Sequence, residues 1–400
     1  MVWRKHPHLP GKRAWPLVPA LLGLAILAAP ARPAVAQAIP AALLADLKAS
    51  TVFVKVSRRH MGWNGSGFVI HNAKGTALVV TNSHVLDPPK IDDSQMPKDK
   101  EAMRLIYERQ KAISHIASIV TVVFHSGTPE ERSVRAEIVA RDPLYDLAVL
   151  KVPGAPEGVK PIRLNRDKVP ETTTLFGLGF PFGRMLGQNR ANPTITLTRV
   201  ELASYKPTAG DATLLQLQGP INPGNSGGPV VDAQGKLCGV QVMTLVNSGF
   251  GFAISTETLI RVLQGRLTVW RMLVKRDAAG RYDVEYRVLL IDPLHRIGDL
   301  KLYYAPGVAK AQIDPHALAA PLPGAKAIPL NRDGPWAIGR WKMSLAGDGP
   351  LVATVQPGWL DGNKKPQLGR PEVVRISVSA DTPESLDDGR TFWHYGEEGA

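Results

Sequence analysis

The chain has 400 residues, of which 44% are hydrophobic and 21% are charged, and its formal net charge at pH 7 is +13. This balance is typical of a globular protein and excludes fibrous, collagen-like and disordered chains, and the length is sufficient for two ordinary domains. The single cysteine, Cys238, excludes an internal disulfide framework, so the fold must be stabilised by burial of apolar side chains.

Residues 1–36 predict a secretory signal peptide. A basic segment, MVWRKHPHLPGKR, precedes an apolar run, and the sequence AVA at 34–36 fits a signal-peptidase site. Two prolines interrupt the run, which favours a cleaved signal over the alternative of a retained membrane anchor. The lone cysteine disfavours a disulfide-rich animal protein. We therefore expect an exported bacterial protein, periplasmic or extracellular, with no membrane span in the mature chain.

From about residue 50 the chain alternates short β-type runs with Gly, Pro, Asn and Asp. The twelve runs are TVFVKV, GSGFVI, ALVVT, IVTVVF, AEIVA, LAVLKV, TTLFGLG, TITLTRVEL, LLQLQ, VVD, KLCGVQV and FGFAI. Runs of this kind without regular helices between them predict an all-β barrel or sandwich.

One segment of this region has helical periodicity instead. In KDKEAMRLIYERQKAISHIAS, residues 98–118, Met103, Ile106 and Ile113 recur at helical spacing, and charged residues occupy the other side. We expect a helix inserted in a loop over about residues 90–118. The simplest interpretation is a surface element packed on the barrel, and the alternative is a lid or an assembly element.

The segment INPGNSGGPVVD, residues 221–232, surrounds one serine with glycines. A nucleophilic hydroxyl needs a base, a group that orients the base, and donors for the oxyanion that forms. Glycines on both sides of Ser226 allow the GNS tripeptide, Gly224, Asn225 and Ser226, to form an oxyanion site, with the amides of Gly224 and Ser226 as the expected donors. An ordinary surface turn is the alternative interpretation.

A base and an orienting carboxylate are available elsewhere in the β-rich region. His84 follows the apolar strand in ALVVTNSHVLD, and Asp146 opens the apolar strand in RDPLYDLAVLKV. Taken singly, such a histidine is more often structural than catalytic, and Asp142 and Asp87 are competing carboxylates in turn-like sequence. Together, the order His, Asp, Ser makes His84, Asp146 and Ser226 the candidate catalytic set.

These segments resemble the chymotrypsin-fold (trypsin-like) serine proteases, most closely the bacterial HtrA/Deg type. The resemblance covers about residues 50–262 and includes GSGFVI, GLGFPFG, INPGNSGGPVV and GFGFAI. It implies two six-stranded β-barrels with the site in the cleft between them. It also implies Ser226 as nucleophile, His84 as general base and Asp146 as the residue that holds the imidazole tautomer.

Further implications of the resemblance concern partners and role. It implies polypeptide substrates, proteolytic quality control or processing in the cell envelope, and chemistry without a metal or cofactor. It also implies assembly into homo-oligomers, often trimers, although no residue of the sequence specifies that assembly.

The chain departs from the HtrA pattern in several places. The interval of 62 residues between His84 and Asp146 is longer than usual, and the inserted helix accounts for it. The GLGF tetrapeptide at 177–180 is similar to a PDZ signature but lies within the protease region, so we interpret it as a barrel loop and expect no PDZ domain. Pro220, six residues before Ser226, stands where an aspartate would attract Arg or Lys substrates. We therefore expect cleavage after small or medium apolar residues.

After the protease region, 37–266, residues 267–400 show a second series of alternating runs. YDVEYRV, DLKLYY, WAIGRWKMSL, LVATVQ and EVVRISVS predict a β-rich accessory domain, most simply a small antiparallel β-sandwich. Five of the chain's eight tryptophans fall here, so core packing of most of them competes with a protein- or glycan-binding face. We expect the acidic tail, SADTPESLDDGRTFWHYGEEGA, to be loose.

Other chemistries fit the sequence poorly. There is no HExxH motif and no GxxxxGK[ST] loop, and one cysteine cannot build a thiolate zinc cluster. Scattered Lys and Arg do not predict specific binding of nucleic acid. We expect an exported serine endopeptidase. The alternatives are a catalytically silent scaffold whose cleft is blocked by the insertion, and a surface protein that binds through its C-terminal β domain.

Overall fold

The computed structural model describes residues 38–59, 61–87, 118–183, 191–208, 212–244, 249–276, 281–306, 320–321, 324–343, 351–369, 371–376 and 392–395. The predicted signal peptide and the predicted helical insertion lie outside them, apart from the last residue of the insertion, Ser118.

Six antiparallel strands form the first barrel. Helix α1 (Ala41–Ser50) leads directly into them, and they are β1 (Thr51–Arg58), β2 (Met61–Ala73), β3 (Thr76–Thr81), β4 (Ile119–Phe124), β5 (Arg132–Asp142) and β6 (Leu147–Pro153). The barrel closes in the order β1-β2-β3-β6-β5-β4. Valine dominates its interior, and complete burial of one valine side chain stabilises the fold by about 1.5–3 kcal/mol.

Six further strands form the second barrel. They are β7 (Thr174–Gly179), β8 (Thr196–Pro207), β9 (Thr213–Gln218), β10 (Pro229–Val231), β11 (Leu237–Thr244) and β12 (Phe250–Ser255), and they close in the order β10-β11-β12-β9-β8-β7. One apolar cluster contains buried residues of both barrels, such as Phe68 and Leu147 of the first and Leu178 and Val240 of the second. The prediction of two six-stranded barrels is confirmed, and the shared core fixes their strand ends relative to each other.

Two short helices flank the barrels. Besides α1, helix α2 (Thr256–Gln264) follows β12, and the Ser255 hydroxyl caps it by accepting a hydrogen bond from the Thr258 amide. Neither helix is predicted from the sequence, because each is only nine or ten residues long and because the apolar residues of α1 are not confined to one face.

Beyond α2 the described residues form two antiparallel sheets. Their strands are β13 (Arg266–Arg276), β14 (Tyr282–Ile291), β15 (Gly298–Pro306), β16 (Lys326–Pro329), β17 (Asn331–Asp333), β18 (Trp336–Met343), β19 (Leu351–Leu360), β20 (Pro366–Leu368), β21 (Glu372–Ile376) and β22 (Phe392–Tyr395). One sheet has the order β17-β18-β14-β13-β22, and the other has the order β16-β15-β19-β20 with β21 also paired to β19. Both contribute to one apolar core, which is the all-β arrangement that the sequence predicts.

The tryptophans of this accessory domain support core packing. Trp270 is buried and stacks on Tyr286 with 5.5 Å between ring centroids. The side chains of Trp336, Trp341 and Trp359 are half-buried. Trp270 is therefore a core residue, whereas the other three tryptophans each keep part of their side chain exposed.

The C-terminal tail differs from the expectation at one segment. Residues Phe392–Tyr395 are not loose but form β22, which pairs with Arg271 to Val274 of β13. Aromatic residues favour strands, and β13 would otherwise end its sheet with unpaired backbone groups.

Within the described residues, no helix combines the length and the apolar character needed to cross a membrane.

Candidate active site

The first barrel brings His84 and Asp146 together. His84 follows β3 and begins a short 3₁₀ turn (His84–Leu86), and Asp146 immediately precedes β6. Because β3 and β6 are paired neighbours in the barrel, with Thr81 opposite Ala148, residues just beyond these ends lie close together. The imidazole Nδ1 lies 2.7 Å from Asp146 Oδ2. A neutral imidazole that donates from Nδ1 leaves Nε2 as its proton acceptor.

Backbone contacts hold Asp146 in place. The His84 amide donates to Asp146 Oδ1 at 2.8 Å. The Asp146 carbonyl accepts from the Asn82 side-chain amide at 2.9 Å and from the Ser83 amide at 3.1 Å. Asp146 adopts φ +52°, a left-handed conformation that costs a non-glycine residue about 1–2 kcal/mol. Together these hydrogen bonds hold the strained backbone of Asp146 in place. Strained residues of this kind are common at functional sites.

The two competing carboxylates are engaged elsewhere. Asp87 forms an ion pair with Arg141, whose guanidinium also bonds the Ser83 hydroxyl at 2.9 Å. Asp142 is fully buried and pairs with Arg266 at 3.0 Å. Of the three carboxylates considered, only Asp146 contacts the imidazole of His84.

The turn that carries Ser226 lies against the segment that precedes His84. A methyl group added to Gly227 would lie 2.4 Å from Thr81 Oγ1 and 3.1 Å from the Asn82 nitrogen, so the two loops are in direct contact. The Ser226 hydroxyl, however, donates to the Val242 carbonyl at 3.1 Å. The structure therefore brings the serine turn to the histidine loop, but it does not join Ser226 Oγ to the imidazole by a hydrogen bond.

Two amides of the serine turn have no acceptor among the described residues. These are the amides of Gly224 and Ser226. The Asn225 amide between them donates to the Asn222 carbonyl at 3.1 Å, so Asn225 differs from the expected three-residue oxyanion site and does not offer its amide. Gly224 has φ +97°, and a side chain there would lie 2.4 Å from the Phe180 carbonyl, so the turn requires glycine.

Ser66 is a structural part of the site that the sequence analysis missed. Its hydroxyl donates to the Gly224 carbonyl at 2.8 Å and accepts from the Phe180 amide at 3.0 Å. Its backbone amide donates to the Ser226 carbonyl at 2.8 Å. Through these bonds the fully buried Ser66 connects β2 of the first barrel to the serine turn. The signal was present in GSGFVI, where one hydroxyl stands between two glycines in an otherwise apolar strand.

Gln241 supports the same turn from the second barrel. Its carbonyl accepts from the Gly227 amide and its amide donates to the Gly228 carbonyl, both at 2.8 Å. Its buried side chain donates to the Leu178 carbonyl at 2.8 Å. A glutamine inside the apolar run KLCGVQV was the available signal, because a buried amide needs hydrogen-bond partners.

Neither a reactive thiol nor a metal site is found among the described residues of the barrels. Burial raises the pKa of the Cys238 thiol to about 12, so it remains a neutral core group. Within the described part of the chain, no three His, Cys, Asp or Glu side chains are grouped so that they could hold a metal ion.

The two-barrel region is similar to known proteins. Residues 65–240 match the family model of the trypsin-like peptidase domain. The chain is 27% identical over 201 residues to the serine protease Do-like HtrA of Bacillus subtilis, covering 48% of this chain and 37% of that protein. It is 27% identical over 224 residues to the periplasmic serine endoprotease DegP of Salmonella typhimurium, covering 54% and 38%.

The matches extend over part of each protein only. The chain spans less than half the length of the curated relatives that it matches. Among solved structures, the serine endoprotease from Yersinia pestis is 23% identical with a TM-score of 0.39, covering 57% of this chain and 70% of that one. The family model, these relatives and the two closed barrels agree. Over residues 65–240 the chain thus matches the trypsin-like peptidase domain, and it is similar there to HtrA-type serine proteases.

Proposed function

We propose that this chain is a serine endopeptidase in which Ser226 is the nucleophile, His84 the general base and Asp146 the residue that orients the base. The observation that carries the proposal is the 2.7 Å contact of His84 Nδ1 with Asp146 next to a serine turn with two unengaged amides. The relatives named HtrA and DegP are serine proteases by name, which supports the same chemistry.

The proposed reaction proceeds through an acyl-enzyme. The Ser226 hydroxyl leaves the Val242 carbonyl, turns toward His84 and attacks the scissile carbonyl carbon, while Nε2 accepts its proton. The amides of Gly224 and Ser226 donate to the oxyanion of the tetrahedral intermediate. The intermediate collapses, the amine leaves with the proton held on Nε2, and a water molecule activated by His84 then hydrolyses the ester. Asp146 stabilises the imidazolium that forms in each half of the reaction.

One observation favours the alternative of a silent scaffold with the same fold. The Ser226 hydroxyl is bonded to Val242 rather than to the imidazole. Catalytic hydrogen bonds are often absent before substrate binds, so this contact is also compatible with a resting enzyme. Chemical reactivity of the hydroxyl separates the two functions.

A fluorophosphonate probe provides that test. We expect the wild-type protein to be labelled covalently at Ser226, because the probe needs an activated hydroxyl and oxyanion donors. Ser226→Ala should remain unlabelled, and heat-denatured wild type is the control for non-specific reaction. Labelling of neither native protein would contradict the endopeptidase proposal and favour the scaffold.

The preference at the cleavage site is a second testable part of the proposal. Pro220 carries no charge, and the buried Ile221 packs on Gly251, where an added methyl group would lie 2.4 Å from Ile221 Cδ1. Apolar groups therefore occupy the positions nearest to the serine turn on its N-terminal side. We expect cleavage of a peptide library mainly after small or medium apolar residues, read out by mass spectrometry. Cleavage centred on Arg or Lys would contradict this.

We also propose that the enzyme acts outside the cytoplasm of a bacterium on polypeptide substrates. The signal-like residues 1–36 and the periplasmic relative from Salmonella support this location. Proteolytic quality control or processing in the envelope is the corresponding role. Homo-oligomerisation, as in HtrA-type relatives, is part of the same proposal.

A further inference from the structure

We propose that Arg266, the first residue of β13, is a positioning residue for Asp146. It would act through Asp142 and Tyr145, which belong to the turn that presents the orienting carboxylate. The inference rests on the proposed function, because Asp146 matters for chemistry only if His84 is the base. Its structural basis is a set of contacts between the turn after β5 and the start of β13.

Asp142 organises the turn that leads to Asp146. Its Oδ1 accepts hydrogen bonds from the amides of Leu144 and Tyr145, both at 3.1 Å. Asp142 also pairs with Leu147 across β5 and β6, so the carboxylate closes a four-residue connection whose last member is Asp146. The φ of +52° at Asp146 depends on this closure, since a left-handed residue persists only where its surroundings hold it.

The carboxylate of Asp142 is buried and needs a counter-charge. Its exposed fraction is 0%, and an unpaired buried carboxylate is strongly unfavourable. Arg266 Nη1 supplies the positive charge at 3.0 Å from Oδ2. The same guanidinium lies over the ring of Tyr145, 3.6 Å from its centroid. One side chain thus contacts both the residue that closes the turn and the residue immediately before Asp146.

The accessory domain fixes Arg266 from the other side. Arg266 begins β13 and pairs with Ile291 of β14. The two residues before it are also held by accessory-domain groups. The Gly362 amide donates to the Gln264 carbonyl at 2.7 Å, and the Trp359 indole donates to the Gly265 carbonyl at 3.1 Å. The backbone of Arg266 is therefore held by the C-terminal sheets, whereas its guanidinium contacts the turn before β6 of the first barrel.

Through these contacts the accessory domain would influence catalysis, although none of its residues touches the substrate or the reacting atoms. The chain of contacts runs from β13 through Arg266 to Asp142, and then through the turn to Asp146 and Nδ1 of His84. A displacement of about 1 Å in such a constellation can lower the rate about 100-fold. Substrate binding would change little, because none of these groups contacts the serine turn.

The test is Arg266→Met in the full-length protein. We expect kcat to fall about 100-fold with KM within about two-fold of wild type, measured on a cleaved peptide and expressed per folded molecule. The far-downfield proton NMR signal of His84 Nδ1–H, which reports its bond to Asp146, should weaken or move. Asp142→Asn keeps the oxygen that accepts the two amides but replaces the oxygen that faces Arg266 with an NH₂ group, so the ion pair is lost. It should therefore change both readouts in the same direction, and it remains available if Arg266→Met does not fold. Arg266→Lys keeps the charge and should restore most of the rate.

Arg340→Met is the matched control. Arg340 lies in the same domain and forms an exposed ion pair with Glu285 at 2.6 Å, so its loss should leave kcat and the proton signal unchanged. Wild-type kcat and an unchanged His84 signal in Arg266→Met and Asp142→Asn would overturn the inference. A wild-type protein without hydrolysis would instead contradict the proposed function, and the proton signal would still decide whether Arg266 positions Asp146.

Discussion

Replacing Asp146 by asparagine is expected to lower kcat by about four orders of magnitude while KM changes only a few-fold. The carboxylate accepts two hydrogen bonds from His84, one from Nδ1 at 2.7 Å and one from the backbone amide at 2.8 Å. An asparagine can satisfy one of these with its oxygen, but it then turns its NH₂ group to the other. If the NH₂ faces Nδ1, the imidazole carries its proton on Nε2 and cannot accept one from Ser226. Steady-state kinetics on a cleaved peptide measure the effect.

Asp87→Asn is the matched control for this change. Asp87 also lies beside the histidine loop, its side chain is 48% exposed and it pairs with Arg141. Exposed ion pairs contribute about 0–1 kcal/mol, so the loss of this charge should alter kcat less than about ten-fold. The folded fraction of both variants should be confirmed by circular dichroism. Equal activities of the two variants would contradict the assignment of Asp146.

The barrels could be predicted from the sequence because local patterns specify them. Four of the six strands of the first barrel, β1, β3, β4 and β6, are short runs rich in valine. Burial of one face and the turn chemistry between runs restrict such strands to closed antiparallel sheets. The short helices α1 and α2 were missed, since nine or ten residues give little periodicity to detect and α1 is not amphipathic.

The candidate site was predictable in its residues but not in its supports. His84, Asp146 and Ser226 each stand at a strand end or in a glycine-rich turn, which is a local signal. Ser66 acts on Gly224 across 158 residues of chain, and no local pattern specifies a partner at that distance. The orientation of the Ser226 hydroxyl is likewise a choice between rotamers, which the sequence does not determine.

The amide of Asn225 is engaged within the serine turn itself. A glycine-rich tripeptide offers three amides, but the φ of +97° at Gly224 reverses the chain there, and the Asn225 amide closes a tight turn onto Asn222. Only a structure shows which amides of a turn donate hydrogen bonds within the turn itself. The two that remain, of Gly224 and Ser226, are the donors expected from the glycines around Ser226.

The second large effect is expected for Gly227→Ala, which should reduce hydrolysis to the background of Ser226→Ala. Gly227 has φ +86°, and the added methyl group would lie 2.1 Å from the Ser66 carbonyl and 2.4 Å from Thr81 Oγ1. Ser66 cannot move away easily, because its amide donates to the Ser226 carbonyl and its carbonyl accepts from Thr81. The serine turn must therefore move instead, and the Gly227 amide would lose its bond to Gln241. We expect a loss of unfolding free energy of about 3 kcal/mol or more.

Gly75→Ala is the control that separates the steric clash of the added methyl group in Gly227→Ala from the strain of a left-handed backbone. Gly75 also has a left-handed φ, +69°, but no atom lies within 4 Å of an added methyl group. Its substitution should therefore cost only the conformational penalty of about 1–2 kcal/mol and leave hydrolysis unchanged. Thermal or denaturant unfolding measures the stability of both variants, and fluorophosphonate labelling measures the state of Ser226. If Gly227→Ala were labelled as fast as Gly75→Ala, the serine turn could not lie against Ser66 and Thr81, and the geometry on which the catalytic assignment depends would be wrong.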